Sequence, residues 1–480
     1  MPRYQLGDRI LKNHPFSYVL EGSRRGQFCE YCFAFDPSAK RCAKCKIACY
    51  CSPECQKKAW KENHKHECGG LLRTEGKLSS FMYLLAQTVL KLKMGLDSED
   101  SSRNETPFKR KFYHLASHWS EAKEDKEIAT YVAESSTTLS SFFNDPAYAD
   151  LLQFDSLGEI YSRIKSNAYS IQGSFNECIG HGLFLSAGKF DHSCRPNACQ
   201  SYDGPDMLVY AIDEIAALDD VRVTYADLNQ PTRLRRQYLK EQYFFHCECV
   251  GCQDLIHDAF LQSAMCIDKK CGESVPFKAQ APGDYKCAHC GTKYPDQSVA
   301  AAEDLMSHAE VAMKQMQSRA AAGDFTTVVK LADPILRDAA GLLHPKNFVI
   351  CTMSLLCSSA YTSMSNLPMA FTFSQNALEG TTFAYPPKHI AVGSHLLQLV
   401  HIGLKMRIRD KSLYEDLELL AKNAVDITAD ATGIGSAVYK KALEMLMTLT
   451  TALRQSLPSA IQQSHGHQHG HGGGCCNHHH

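Results

Sequence analysis

A chain of 480 residues with 51 Lys and Arg against 52 Asp and Glu has a formal charge of −1, so no global field draws it to nucleic acid or a membrane surface. The opening MPRYQLGDRI is charged where a signal peptide needs an apolar run, and FMYLLAQTVLKLKMG is broken by lysines, short of the roughly 18 uncharged residues of a membrane span. The expectation is a soluble intracellular protein of roughly two to four domains, whose 22 cysteines stay reduced and, at CxxC-type spacings, serve zinc rather than disulfides.

Residues 5–28 read as short strands, RILKNHPFSYVL. Residues 29–68 then offer Cys29, Cys32, Cys42, Cys45, Cys51, Cys55, His64 and Cys68. Eight sulfur and nitrogen donors fill two tetrahedral sites, and so short a segment takes its folding energy from metal. Cys49 and His66 fit the spacing less well and are spare. Arg41, Lys44, Lys46, Lys57, Lys58, Lys61 and Lys65 surround the ligands as a solvated face, with a DNA- or peptide-binding patch as the other reading.

Leu78, Phe81, Met82, Leu85 and Val89 recur at helical spacing and predict a helix from Leu71 to about Lys93. LDSEDSSRNETP is a polar loop, and helical segments continue to about Arg163. The runs GLFLSAG, MLVYAI and VRVTYAD are β-rich, and Pro231 opens the helix PTRLRRQYLKEQYFF. HCECVGC supplies Cys247, Cys249 and Cys252, one ligand short of a tetrahedral site, with Cys194, Cys199 and Cys178 as upstream candidates for the fourth. Cys266, Cys271, Cys287 and Cys290 form two close pairs, the second followed by Gly291, a self-sufficient set that looks like a zinc ribbon. From about residue 300 to 454 the pattern is helical. Pro345-Lys346 and Pro387-Lys388 recur 42 residues apart and hint at TPR-like hairpins, while Cys351 and Cys357 read as buried apolar residues. The tail, with His465, His467, His469, His471, Cys475 and Cys476, is either a loose transition-metal binder or plain disordered chain.

FDHSCRPNACQ sets Asp191, His192, Ser193 and Cys194 side by side, but four consecutive residues on an extended segment cannot all face one reacting atom. With VRVTYAD and LKEQYFFHCECVGC it resembles a SET domain: an NHSCxPN segment, a catalytic-tyrosine strand and a post-SET CxCx2C. The ligand order of 29–68 resembles the MYND zinc finger. A SET domain interrupted by a MYND finger is the arrangement of the SMYD family, and the resemblance runs over roughly residues 5–252. It implies an α+β fold: 1–28 the N-terminal part of the SET domain, 29–68 the finger, 69–165 a helical SET insert, 166–228 the core SET and 229–252 the post-SET segment. Residues 253–299 are then a zinc-ribbon-like insert, 300–455 a TPR-like helical domain and 456–480 a disordered tail.

In this family the first and third ligand pairs share one metal and the second and fourth the other. That implies one site of Cys29, Cys32, Cys51 and Cys55 and another of Cys42, Cys45, His64 and Cys68. The family also nominates Cys194 to complete Cys247, Cys249 and Cys252, which brings the expectation to four zinc ions. The implied activity is S-adenosylmethionine-dependent lysine N-methylation of histone or other proteins, in nucleus and cytoplasm, by a monomer. Peptide ligands of the finger are implied too, and direct DNA binding is disfavoured by the near-neutral charge. Tyr225 matches the catalytic tyrosine and Tyr243 the tyrosine walling the lysine channel, with Tyr169 lining it. His118 in LASHW, Asn167 in KSNAYS, Asp191, His192 and Phe245 match cofactor contacts. Two departures stand out. The segment YQLGDRILKNHPFSYVL matches the stretch downstream of the family's GxG turn, which the glycines of GHGLF do not replace. Asp191 stands where the family has Asn, an acceptor-only carboxylate in place of an amide. They motivate the alternative, a catalytically impaired scaffold that binds partners through its finger and helical region.

Overall fold

The computed structural model describes residues 3–99, 102–175, 177–407 and 410–456; the His-rich tail lies outside the described residues. Two three-stranded antiparallel sheets form its β-framework. The first has the order β1 (Arg9–Asn13), β6 (Asp206–Ala211), β5 (Ala198–Asp203); the second has β2 (Ser17–Leu20), β4 (Cys178–Leu183), β3 (Ala168–Gln172). Each sheet thus joins one strand from before residue 21 to two from beyond residue 167. Everything between is inserted into that framework. Mixed helix and strand is what the sequence led us to expect.

The 29–68 segment is a two-residue hairpin, Lys40–Arg41 with Cys49–Tyr50, followed by the helices Pro53–Ala59 and Lys65–Arg73. It is not a free-standing ball. Cys29, Cys42, Cys45 and Cys68 belong to the same buried cluster as Phe16, Leu84, Leu85, Phe112, Leu139 and Phe142, and the Tyr83 hydroxyl donates to Glu67 across it at 2.9 Å. The helix predicted from Leu71 is in fact two. Glu75 and Gly76 take left-handed φ of 52° and 67°, which breaks the chain after Arg73. Ser79 then caps α1 (Ser80–Lys93), its Oγ accepting from the Met82 amide at 3.2 Å. The residues that carry the periodicity, Leu78 to Val89, all lie beyond the break, which falls in the polar run 73–77 at Gly76. α2 (Lys126–Phe143), capped by Asp125, and α3 (Phe154–Asn167) complete this layer.

Beyond the sheets, α4 (Thr232–Tyr243) follows Pro231, as the sequence predicts. Seven helices complete the described residues: α5 (Asp296–Ala321), α6 (Phe325–Ala339), α7 (Phe348–Ser363), α8 (Leu367–Ala384), α9 (Ile390–Met406), α10 (Lys411–Thr432) and α11 (Ala437–Ser456). Each packs on its successor, and α10 also lies against β5 and β6. This array reaches the segment after residue 224 through side chains: the Tyr385 hydroxyl donates to Asp227 at 2.9 Å, Gln230 donates to Thr352 at 3.1 Å, and Arg233 pairs with Glu310. No helix among the described residues is long and apolar enough to cross a membrane.

Candidate active site and metal centres

Four ligand sets converge. Cys29, Cys32, Cys51 and Cys55 form one; Cys42, Cys45, His64 and Cys68 a second; Cys194, Cys247, Cys249 and Cys252 a third; Cys266, Cys271, Cys287 and Cys290 a fourth, with the donor atoms of each set within 4.8 Å of one another. Four thiolates at about 2.3 Å from one zinc sit about 3.8 Å apart, the edge of a tetrahedron. The sulfur pairs Cys32–Cys51, Cys42–Cys68 and Cys271–Cys287 lie at 3.7, 3.9 and 3.8 Å, and Cys194–Cys252 at 3.5 Å. The donor sets therefore fit zinc. Burial pushes His64 down to about 4, which keeps its imidazole neutral and able to ligate, with Nε2 3.7 Å from the Cys45 sulfur. Cys49 instead donates to the Ile47 carbonyl, and His66 is exposed.

The third set ties distant stretches together. The Cys194 amide donates to the Cys249 sulfur at 3.1 Å, and a Cβ on Gly251 would meet the Cys194 carbonyl carbon at 2.8 Å, so only glycine lets the Cys-Val-Gly-Cys turn approach. Arg235, 3% exposed, donates Nε to the Cys194 sulfur at 3.2 Å and Nη2 to Thr232 at 2.8 Å. Sequence reading missed this arginine. Its one signal was helical spacing, four residues before the buried Leu239. Of the other candidates for the fourth ligand, Cys199 points to the Ala431 carbonyl at 3.6 Å, and Cys178 lies beside His181.

Next to this cluster stands a group of aromatic rings. A two-residue parallel pairing aligns Asp191–His192 with Arg222–Val223 and brings Tyr225 beside His192. The Tyr225 amide donates to His192 Nδ1 at 3.0 Å, which leaves the proton on Nε2, 3.2 Å from the Cys194 sulfur. The Tyr225 hydroxyl donates to the Phe190 carbonyl and its ring lies 5.0 Å from that of Tyr243. α4 ends in Phe244 at φ 60°, and three successive aromatics diverge there: Tyr243 to Tyr225, Phe244 stacked on His118 at 4.8 Å, Phe245 to His192 at 6.1 Å. Tyr169 on β3 stands close enough to Tyr225 for the two hydroxyls to influence each other's titration. Burial, the largest cause for each, raises the pKa of Tyr169, Tyr225 and Tyr243, so all three keep their hydroxyl protons. Burial also pushes His192 down to about 4, hence neutral. Asn167 spends both amide hydrogens on the Ala116 and Arg163 carbonyls, at 3.1 and 2.8 Å, and Asp191 is exposed.

Two clefts flank the tyrosine pair. One of about 490 Å³, between α4 and α5, is lined by Tyr225, Asp227, Tyr238, Glu241 and Glu310. The other, of about 460 Å³, is lined by Tyr131, Tyr161, Lys165, His181 and Tyr243. Tyr238 lines both, another residue the sequence alone did not single out.

Residues 29–68 match the family model of the MYND finger. The mouse histone-lysine N-methyltransferase SMYD3 is 30% identical over 256 residues, 53% of this chain and 58% of that protein. Pig N-lysine methyltransferase SMYD2 is 30% identical over 251 residues, 52% and 56% of the two chains, and the Arabidopsis thaliana histone-lysine N-methyltransferase ASHR1 30% over 277 residues, 56% of each. The match thus spans little more than half the length of these relatives. The finger and its thiol clusters define a zinc-binding protein of mixed helix and strand. Over little more than half its length the chain is similar to lysine methyltransferases of the SMYD family, and within that stretch it carries a MYND finger.

Proposed function

We propose that the chain is a protein-lysine N-methyltransferase using S-adenosylmethionine, built on a SET fold that the finger and helices 69–165 split, and closed by a post-SET zinc site, a zinc ribbon and a TPR-like array. The observation that carries this reading is the convergence of Tyr169, Tyr225 and Tyr243 beside the one thiol cluster that ties residue 194 to residues 247–252. Bound S-adenosylmethionine supplies an electrophilic methyl group on a sulfonium. The ligand set is rich in acceptors: the exposed Asp191 carboxylate, and the Asn167 Oδ1 left over once its amide hydrogens are engaged, suit a cofactor carrying ammonium and sulfonium charge. His118, His192 and Phe245 supply ring surface around them.

A methyl transfer of this kind needs a neutral amine and an in-line approach rather than a protein nucleophile. Aromatic walls strip water from a lysine side chain and so lower its pKa, while protonated tyrosines orient the amine through their hydroxyls. Histone or other protein lysines, reached in nucleus and cytoplasm, are the substrates this reading assigns. Titration of zinc-loaded protein with S-adenosylmethionine, paired with transfer of labelled methyl to histones or peptides, tests it. Binding without transfer would favour the scaffold reading. No binding by well-folded protein would overturn the enzyme.

A further inference from the structure

Outside the aromatic site and the four ligand quartets, one more cluster of metal-binding side chains stands on the second sheet. Glu21 follows β2, while Cys178 and His181 lie on β4, and one donor atom from each falls within 4.8 Å of the other two. His181 Nε2 is 2.9 Å from Glu21 Oε2 and 3.8 Å from the Cys178 sulfur.

Residues three apart on a regular strand face opposite sides of a sheet, so Cys178 and His181 should point apart. A β-bulge brings them together. β3 pairs Ile171 with Gly180 but Gln172 with Cys178, which leaves Ile179 as an extra residue and turns Cys178 to the face of His181. Val19 lies opposite His181, and Glu21, two residues further on, returns to the same face. The bulged Ile179 also accepts the Glu21 amide at 3.0 Å, fixing the carboxylate's root.

A Cys–His–carboxylate proton relay needs thiol and carboxylate on opposite ring nitrogens. Here both approach Nε2. Three donors aimed at one point are the geometry of an ion, and we propose that Glu21, Cys178 and His181 form a fifth metal site, for a divalent cation of the zinc class. Three protein ligands leave the fourth tetrahedral position to water. Bonds of about 2.0–2.3 Å require N···S near 3.6 Å and N···O near 3.3 Å, so shifts of a few tenths of an ångström convert the observed contacts into ligation. On binding, the thiol proton leaves to solvent and the imidazole proton moves from Nε2 to Nδ1. The His181 and Glu21 side chains are 30% and 33% exposed, so an ion can enter from water. His181 also lines the cleft that presents Lys165 and Tyr243, and its neighbour Gly182 pairs with Tyr169. An ion here would pin the strand that registers the tyrosine site, yet its existence does not depend on methyl transfer.

Cobalt(II) titration of the full-length protein carrying four zinc equivalents, enough to fill the quartets alone, tests the site, with Cys475→Ser and Cys476→Ser in the background to remove the tail's competing thiols. The expected result is one equivalent of thiolate-bound cobalt per chain, read from thiolate-to-cobalt charge-transfer absorption, which cobalt on the tail's histidines does not give. Cys178→Ser, His181→Gln and Glu21→Ala should each lose that band while keeping the zinc content and melting temperature of the parent, and Cys357→Ala should keep it. Should Cys178→Ser fail to fold, His181→Gln carries the same reading. Absence of the band in the parent, or its persistence at full strength in any of the three ligand variants, overturns the proposal.

Discussion

The thiol cluster of Cys194, Cys247, Cys249 and Cys252 and that of Cys266, Cys271, Cys287 and Cys290 have the same ligand chemistry and opposite settings. The first joins two distant stretches and sits against Arg235, His192 and the aromatic group. The second is local in sequence, leaves Cys290 exposed, and packs with Met306 and Phe348 of the helical array. A thiol quartet can therefore either assemble a site or merely fold its own loop. What separates the two roles is the sequence distance it spans and what rests on it.

The largest expected effect comes from the first cluster. Cys194→Ser should release one metal equivalent and leave the buried Arg235 without its anionic partner, at a cost on the order of 3 kcal/mol. Cofactor binding and methyl transfer should both be lost, and metal analysis with calorimetry would show it; full activity in this variant would break the contrast. Tyr225→Phe removes one hydroxyl and no packing, so transfer should fall about a hundredfold with cofactor affinity unchanged, as single-turnover rates would read.

The array offers a test by pH. His389 and His395 are buried and pushed down to about 4, so below an unfolded value near 6.5 the unfolded chain takes up protons that the folded array excludes. Stability held at neutral pH should therefore drain away from about pH 6.5 down towards 4, by about 2 kcal/mol per histidine at pH 5, visible as a falling melting temperature. His395→Gln should flatten that slope. The smallest effect belongs to the local cluster: Cys290→Ser should lose one zinc and a few degrees of melting temperature, yet leave methyl transfer within about twofold of the parent. A collapse of activity there would show that the two clusters are not opposites after all.

How much of this was readable from the chain obeys the same division. Ligands close in sequence announce themselves by spacing, as in Cys266 to Cys290 and in the finger. Side chains united by strand pairing do not: nothing in the order of residues ties Glu21 to Cys178 and His181, because a bulge at Ile179 decides where Cys178 points. Arg235 was hidden among three arginines of one helix, two of which face outward or to the rim. The break at Glu75 and Gly76 was passed over because Leu71 and Leu78, one on each side of the polar run 73–77, are seven residues apart and fit a single helix. Tyr225 and Tyr243 were legible only through the motifs around them, since an aromatic on a strand or a helix is ordinary.

The division of both sheets by the inserted segment also has a consequence for how the molecule is born. All eight finger ligands have been made once residue 68 has left the ribosome, but the helices that bury them follow later. β1 and β2 cannot pair until β4 and β6, ending at residue 211, have been made. At typical synthesis rates that is a wait on the order of ten seconds, during which two short strands stand unpaired. Early metal supply and shielding of that nascent N-terminal edge should therefore govern yield in the cell more than the stability of the finished fold.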